Sequence, residues 1–89
     1  MADLRLGCLA SHEGTNVQAI IYACKDGRLD ARPCVVISNN ARARVLSRAR
    51  REGVPWRHLS ARTHPDPAEL DKAIRDTLQA HQVNLVVLA

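Results

Sequence analysis

The sequence predicts an α/β protein in which helices cover both faces of a parallel sheet. Short apolar runs alternate along the chain with longer segments of helical periodicity, the order typical of β-α-β units. The runs at 33–38 and 84–89 lack the alternation of a half-exposed strand and indicate strands buried on two faces. A chain of 89 residues accommodates one domain. The order of its elements predicts a four-stranded sheet with right-handed crossovers. We expect the first strand to be central, because the runs at 33–38 and 84–89 indicate strands buried on two faces.

The first β-α unit starts with an apolar strand at 4–10 and continues into a helix that begins near residue 15. The apolar positions of this helix recur at the spacing of one helical face, and they are Val17, Ile20, Ile21 and Cys24. We expect a side-chain oxygen of Thr15 or Asn16 to cap its N-terminus. Gly27 follows as the C-terminal stop, after Lys25 in the last turn.

The second helix follows the strand at 33–38 and is rich in arginine. Asn39 and Asn40 are expected to open it, and Gly53 to end it. Its buried stripe is predicted from the helical spacing of Val45, Leu46 and Ala49.

A weaker strand at 54–59 leads into the third helix. Asp66 is predicted as the N-cap of this helix, with Pro67 at its first position and Glu69 in its first turn. The residues expected to face the sheet are Leu70, Ile74, Leu78 and His81. The strand at 84–89 is the last element.

Composition excludes several classes of protein. Apolar residues at 46% and charged residues at 25% are ordinary for a globular protein, and no apolar run approaches the ~20 residues of a membrane span. The N-terminal residues lack the basic region and cleavage site of a signal peptide, so we expect a cytoplasmic protein. Three dispersed cysteines indicate reduced thiols rather than a disulfide framework. The four histidines lack metal-ligand spacing, so no metal is predicted.

The net charge of +4 comes largely from the second helix, whose basic residues are Arg42, Arg44, Arg48, Arg50 and Arg51. A nucleic-acid patch would need interleaved aromatic side chains to stack on bases, and this segment has none. The arginines are therefore interpreted as a solvated helix face. We predict no nucleic-acid or membrane partner, and the sequence leaves the oligomeric state open.

The loop at 11–16 is the candidate ligand site, because ligands of open α/β sheets bind outside the carboxyl ends of the strands. Gly14 would let the backbone approach a ligand, and the amides and dipole of the following helix favour an anion. Thr15 and Asn16 add side-chain donors, so a monophosphate is the expected guest. The alternative is that both residues only cap the helix. The loop matches neither G-x-G-x-x-G nor the P-loop, which argues against a dinucleotide or nucleoside-triphosphate enzyme.

The segment at 8–21, CLASHEGTNVQAII, resembles the opening of glycinamide ribonucleotide formyltransferases, whose members read S-G-x-G-[ST]-N-[LF]-Q-A-[IL]. The resemblance continues without a gap through VISN at 36–39, ARREGVP at 49–55 and VVLA at 86–89. It covers essentially the whole chain, but only about the first half of a family member. The apolar run at its end also indicates that further structure follows.

The resemblance implies a three-layer, Rossmann-like formyltransferase fold. Residues 1–89 would form its N-terminal, substrate-phosphate-binding half, truncated after the fourth strand. Gly14, Thr15 and Asn16 match the family's G-[ST]-N, which binds the phosphate of glycinamide ribonucleotide. The family transfers a formyl group from its cosubstrate 10-formyltetrahydrofolate to the substrate amine in de novo purine biosynthesis. Its catalytic Asn, His and Asp, with nearly all of the folate pocket, lie in the second half, so no catalytic residue is assigned in this chain.

Three residues depart from the family pattern. His12 and Glu13 replace a glycine and an uncharged residue, and Pro67 stands near a position that is usually basic. A carboxylate at Glu13 would weaken phosphate binding unless it is paired or turned away. A paralogous formyltransferase or formyltetrahydrofolate hydrolase therefore stays open, as does a non-catalytic phosphate- or nucleotide-binding module. An N-x-H motif beyond residue 89 would favour the enzymes.

Overall fold

The computed structural model describes residues 3–89 and contains a parallel sheet of four strands in the order β3-β2-β1-β4. The elements are β1 (Leu4–Leu9), α1 (Thr15–Lys25), β2 (Ala31–Ser38), α2 (Arg44–Arg51), β3 (Trp56–His58), α3 (Pro67–Ala80) and β4 (Leu85–Leu88). β1 pairs with both β2 and β4, which confirms the predicted central first strand. Met1 and Ala2, part of the segment without signal-peptide features, lie outside the described residues.

Helices pack on both faces of the sheet. Successive side chains of β1 point to opposite faces, so neighbouring residues of this strand lie under different helices. Cys8 lies in the core beneath α1 and α2. Gly7 faces α3, since a Cβ at this position would lie only 2.6 Å from Leu78 Cδ2. The core under α1 and α2 is aliphatic and consists of Cys8, Ala10, Val17, Ile21, Val36, Ala43, Val45, Leu46, Ala49 and Val54. The predicted α/β architecture is thus confirmed.

α1 begins differently from the prediction. Its N-cap is Gly14, with φ 77° and ψ 25°, and among residues 3–89 no side chain caps the helix. The predicted cap by Thr15 or Asn16 is wrong, because a capping side chain must stand on an extended residue before the helix. Both residues already lie in the first helical turn. The predicted stop is confirmed, since Gly27 adopts φ 78° just after the helix.

α2 begins at Arg44 with Ala43 as its N-cap, and not at Asn39–Asn40 as predicted. Asn40 Oδ1 accepts a hydrogen bond from the Arg42 N–H at 3.0 Å. This Asx turn uses the asparagine to close the loop before the helix, which moves the helix start four residues along the chain.

The N-terminus of α3 matches the prediction, since Asp66 Oδ1 accepts from the Ala68 N–H at 3.0 Å and Pro67 is the first helical residue. Within residues 3–89 the fourth strand is not covered on both faces as predicted. Leu85 is 45% exposed and Leu88 is 80% exposed. Among these residues β4 has β1 as its only neighbouring strand. The residues of α3 that face the sheet are likewise only half-buried.

All three cysteines are free, as predicted. Burial raises the pKa of the Cys8 thiol to about 11, so that this thiol stays protonated at neutral pH and behaves as a core side chain. Within residues 3–89 no helix is long and apolar enough to cross a membrane.

Candidate functional site

The β1–α1 loop lies at the carboxyl edge of the sheet. The N–H of Ala89, just beyond β4, donates to the Leu9 carbonyl at 3.0 Å and brings the end of β4 beside the loop. A cleft of about 190 Å³ opens there. Its lining consists of Ala10, His12, Glu13, Gly14, Thr15, Asn16 and Ala89. The structure therefore brings all three predicted phosphate-binding residues to one cleft.

The first turn of α1 presents backbone N–H groups at this cleft. The helical hydrogen bonds begin with Gln18, whose N–H donates to the Gly14 carbonyl at 2.8 Å. The N–H groups of Thr15, Asn16 and Val17 come earlier and have no acceptor within the helix. Val17 is fully buried, whereas Thr15 and Asn16 line the cleft. Since no side chain of the described residues caps this helix, the amides of Thr15 and Asn16 and the positive end of the helix dipole are available to an anion.

Gly14 is required by the packing of α2, apart from the approach of a ligand that the sequence predicts. In the structure a Cβ at Gly14 would lie 2.5 Å from Val45 Cβ and 2.8 Å from Val45 Cα. The absent side chain therefore makes room for α2, and the left-handed φ of 77° independently favours glycine.

α2 holds the β1–α1 loop through contacts with the backbone carbonyls of His12 and Glu13 and with the Glu13 carboxylate. The Val45 N–H donates to the His12 carbonyl at 3.2 Å, and Arg48 Nε donates to the Glu13 carbonyl at 2.7 Å. Arg44 Nη1 lies 3.5 Å from Glu13 Oε2, so that the unusual carboxylate of the loop is paired with a guanidinium. Both side chains of this pair are exposed, and the pair chiefly offsets the charge of Glu13.

The same face of α2 also contacts α1. Arg48 Nη1 and Arg51 Nη2 donate to Oε1 of the buried Gln18 at 3.4 and 3.2 Å. Lys25 Nζ donates to Glu52 Oε1 at 2.9 Å, and this contact holds the pKa of the Glu52 carboxyl below its usual range. The interpretation of the arginines as a solvated face holds for Arg44 and Arg51, whose side chains are 74% and 63% exposed, but not for the half-buried Arg48.

Sequence reasoning missed this contact face, although a signal for it exists. Arg44, Arg48 and Arg51 are spaced i, i+4 and i+7, which places them on one side of a helix. Arg42 and Arg50 fall outside this spacing, and both are exposed. A stripe of arginines beside an apolar stripe is the pattern of a helix that packs with its polar flank against a neighbour.

Further cavities lie at both edges of the sheet. One of about 270 Å³ lies at the carboxyl edge beneath α3 and is lined by Leu9, Ala10, Ser11, Ile37, Asn39, Leu59, Ile74 and Leu88. It is smaller than the roughly 300–1,000 Å³ of pockets that enclose drug-sized ligands. A larger cleft of about 520 Å³ lies at the amino edge, beside Arg5, Arg32 and Gln82. Ligands of open α/β sheets bind at the carboxyl edge, so this larger cleft is not the candidate site.

The lining of the cleft includes one histidine and one carboxylate, His12 and Glu13, and both residues are exposed. Among residues 3–89, no three His, Cys, Asp or Glu side chains are grouped closely enough to hold a metal ion. The backbone amides at the start of α1 are the groups of the cleft that can bind an anion.

Residues 4–89 match the model of the formyl transferase family. Phosphoribosylglycinamide formyltransferase from Haemophilus influenzae is 40% identical over 85 residues, which cover 96% of this chain and 40% of that protein.

Solved structures agree with this match. The crystal structure of glycinamide ribonucleotide transformylase 1 from Symbiobacterium toebii has a TM-score of 0.90 and 45% identity, with 97% of this chain and 41% of that chain covered. The corresponding structure from Geobacillus kaustophilus has a TM-score of 0.90 and 36% identity, with 96% and 45% covered. The chain therefore spans less than half the length of these relatives.

Proposed function

The chain belongs to the formyl transferase family, and we propose that it forms the N-terminal, substrate-phosphate-binding half of a glycinamide ribonucleotide formyltransferase. Relatives and solved structures named for this ribonucleotide support the substrate class. The proposed reaction transfers the formyl group of 10-formyltetrahydrofolate to the amine of the ribonucleotide, in the de novo purine pathway of the cytoplasm.

The observation that carries the proposal is the uncapped start of α1 at the carboxyl-edge cleft. Thr15 and Asn16 are exposed in the first turn of the helix, and Gly14 stands just before it in a left-handed conformation. The amides of Thr15 and Asn16 and a helix dipole equivalent to roughly half a positive charge favour a phosphate there. The pairing of Glu13 with Arg44 reduces the repulsion that this carboxylate would exert on the phosphate.

In this proposal the chain binds and orients the substrate but performs no step of the chemistry. A phosphate held at α1 anchors the ribonucleotide at one end, so that its amine is directed along the carboxyl edge. Such positioning contributes up to ~7–11 kcal/mol to the lowering of a barrier.

The folate site and the acid–base residues are proposed to lie in the part of the protein that this chain does not include. The described residues alone do not enclose a folate, since the apolar cavity beneath α3 measures only about 270 Å³. When bound, the folate supplies the formyl group. Relatives more than twice as long as this chain have ample length for such a site.

Asn16→Asp in the full-length protein tests the phosphate site, because it changes the charge and not the shape. A carboxylate within about 4 Å of a phosphate costs about 1 kcal/mol or more, so the KM for the ribonucleotide should rise at least about fivefold. The same aspartate in the first turn of α1 is favourable for the helix, so the melting temperature should stay the same or rise.

Gln79→Glu is the matched control, since it makes the same isosteric charge change near the end of α3. An unchanged KM for the ribonucleotide in Asn16→Asp would refute the phosphate site, and the loop would then serve only as the start of α1.

The wild-type assay separates the alternative functions as well. Formate release that does not consume the ribonucleotide would indicate a hydrolase, and phosphate binding without turnover would indicate a binding module.

A further inference from the structure

Arg48 is the arginine of α2 that contacts the candidate site most directly. Its Nε donates to the Glu13 carbonyl at 2.7 Å, and its Nη1 lies 3.4 Å from Gln18 Oε1. We infer that Arg48 is a positioning residue. It orients the peptide between Glu13 and Gly14 and thereby directs the amide donors at the end of the β1–α1 loop. This inference rests on the proposed function and adds to it a residue outside the loop.

The geometry of the peptide unit couples the Glu13 carbonyl to the Gly14 N–H. A trans peptide is planar, and its C=O and N–H bonds point in opposite directions. A hydrogen bond that holds the Glu13 carbonyl toward Arg48 therefore turns the N–H of Gly14 away from α2. Rotation of this peptide would remove that N–H from its place at the start of α1 and would shift the first turn behind it.

The neighbouring contacts make the arrangement specific. The His12 carbonyl accepts from the Val45 N–H at 3.2 Å, and the backbone of Gly14 packs against Val45. α2 thus contacts three consecutive loop residues, but only at Glu13 does a side chain of α2 donate a hydrogen bond. It is the contact that a substitution can remove without a change in the backbone of α2.

An arginine suits this position better than a lysine. Its planar fork can donate to the Glu13 carbonyl and to Gln18 at the same time, whereas a lysine ammonium on a flexible stem lacks this preset geometry. Gln18 is only 7% exposed and also accepts from Arg51 at 3.2 Å, so it provides a fixed support for the guanidinium. The charge on the donor strengthens the short bond to the carbonyl.

The test uses the full-length protein with Arg48→Met and Arg48→Lys, and with inorganic phosphate and the ribonucleotide as probes. Arg48→Met should raise the Kd for phosphate and the KM for the ribonucleotide about tenfold, the size of one charge-assisted hydrogen bond. Arg48→Lys, with a single donor group, should raise both about threefold. The KM for the folate and kcat should change little, because the loop acts on the phosphate end of one substrate.

Arg50→Met is the matched control, since Arg50 is an exposed arginine two positions along the same helix. Wild-type phosphate affinity in Arg48→Met would overturn the inference, and Arg48→Lys provides the same criterion if the methionine variant does not fold. A loss that affects both KM values and kcat equally would also overturn it, because Arg48 would then support only the fold.

The two proposals fail in different ways. Phosphate binding that depends on Asn16 but not on Arg48 refutes the positioning role and leaves the proposed function intact. A wild-type protein that does not bind phosphate refutes both.

Discussion

Replacing Gly14 with alanine should destabilise the protein more than the same substitution at Gly27, although the two glycines have nearly the same backbone conformation. Their φ angles are 77° and 78°. A left-handed conformation costs a non-glycine residue roughly 1–2 kcal/mol, and this cost is common to both variants. Any effect of alanine on the entropy of the unfolded chain is also common to both, so the difference between the two variants isolates packing.

The packing cost can be estimated from the contacts of the added Cβ. At Gly27 it would meet nothing within 4 Å, whereas at Gly14 it would lie 2.5 Å from Val45 Cβ and 2.8 Å from Val45 Cα. A backbone atom cannot turn aside, so α2 must move, and overpacking of this kind costs about 1–3 kcal/mol. We therefore expect losses of about 1–2 kcal/mol for Gly27→Ala and about 2–5 kcal/mol for Gly14→Ala.

Urea unfolding of the full-length protein, followed by circular dichroism, measures the difference. Gly53→Ala is a second control, because Gly53 has φ 75° and its added Cβ also meets nothing within 4 Å. A second substitution, Val45→Ala, should give little rescue, since it leaves both the Cβ and the Cα of residue 45 in place. Equal losses at Gly14 and Gly27 would refute the reasoning that α2 requires the glycine.

Two further predictions concern the ends of helices. Asp66→Ala should lower the free energy of unfolding by about 1 kcal/mol through loss of the N-cap bond to Ala68, and a loss no larger than that of the exposed Asp71→Ala would contradict this role. Lys25→Met should raise the pKa of Glu52 toward its ordinary value, measured by NMR titration, because the contact with Lys25 is the main cause of its depression. A depressed carboxyl pKa contributes stability above the unfolded pKa of roughly 4.3 and loses it as pH falls through the lower folded pKa, so acid should destabilise the wild type more steeply than the variant. An unchanged Glu52 titration would show that Lys25 is not the cause.

Local patterns in the sequence were sufficient for the order and type of the elements. Uniformly apolar runs of strand length and helical periodicity predict a β-α-β chain, because each reflects which side chains must be covered. The N-cap at Asp66 was predictable for a similar reason, since its bond to Ala68 spans two residues. The position of the β1–α1 loop at the carboxyl edge was also predictable this way, from its place after the first strand.

The errors concern the starts of two helices and the surroundings of the last strand. Thr15 and Asn16 are reasonable caps by residue type, but the left-handed Gly14 starts α1 before them. β4 has the composition of a buried strand, and within residues 3–89 Leu88 is 80% exposed. Composition indicates that a strand requires burial, but it does not show which part of a protein covers it.

The sequence by itself thus determined the fold class, the loop that faces the carboxyl edge and the family to which the chain belongs. Only the tertiary structure decided how that loop is held, because the contacts join residues far apart in the chain. Arg48 is 35 residues from Glu13, and the Val45 that requires a glycine at Gly14 stands on a different helix from the loop. Periodicity shows that a helix has an arginine flank, but the crossing of α1 and α2 over one face of the sheet determines which backbone carbonyl that flank meets.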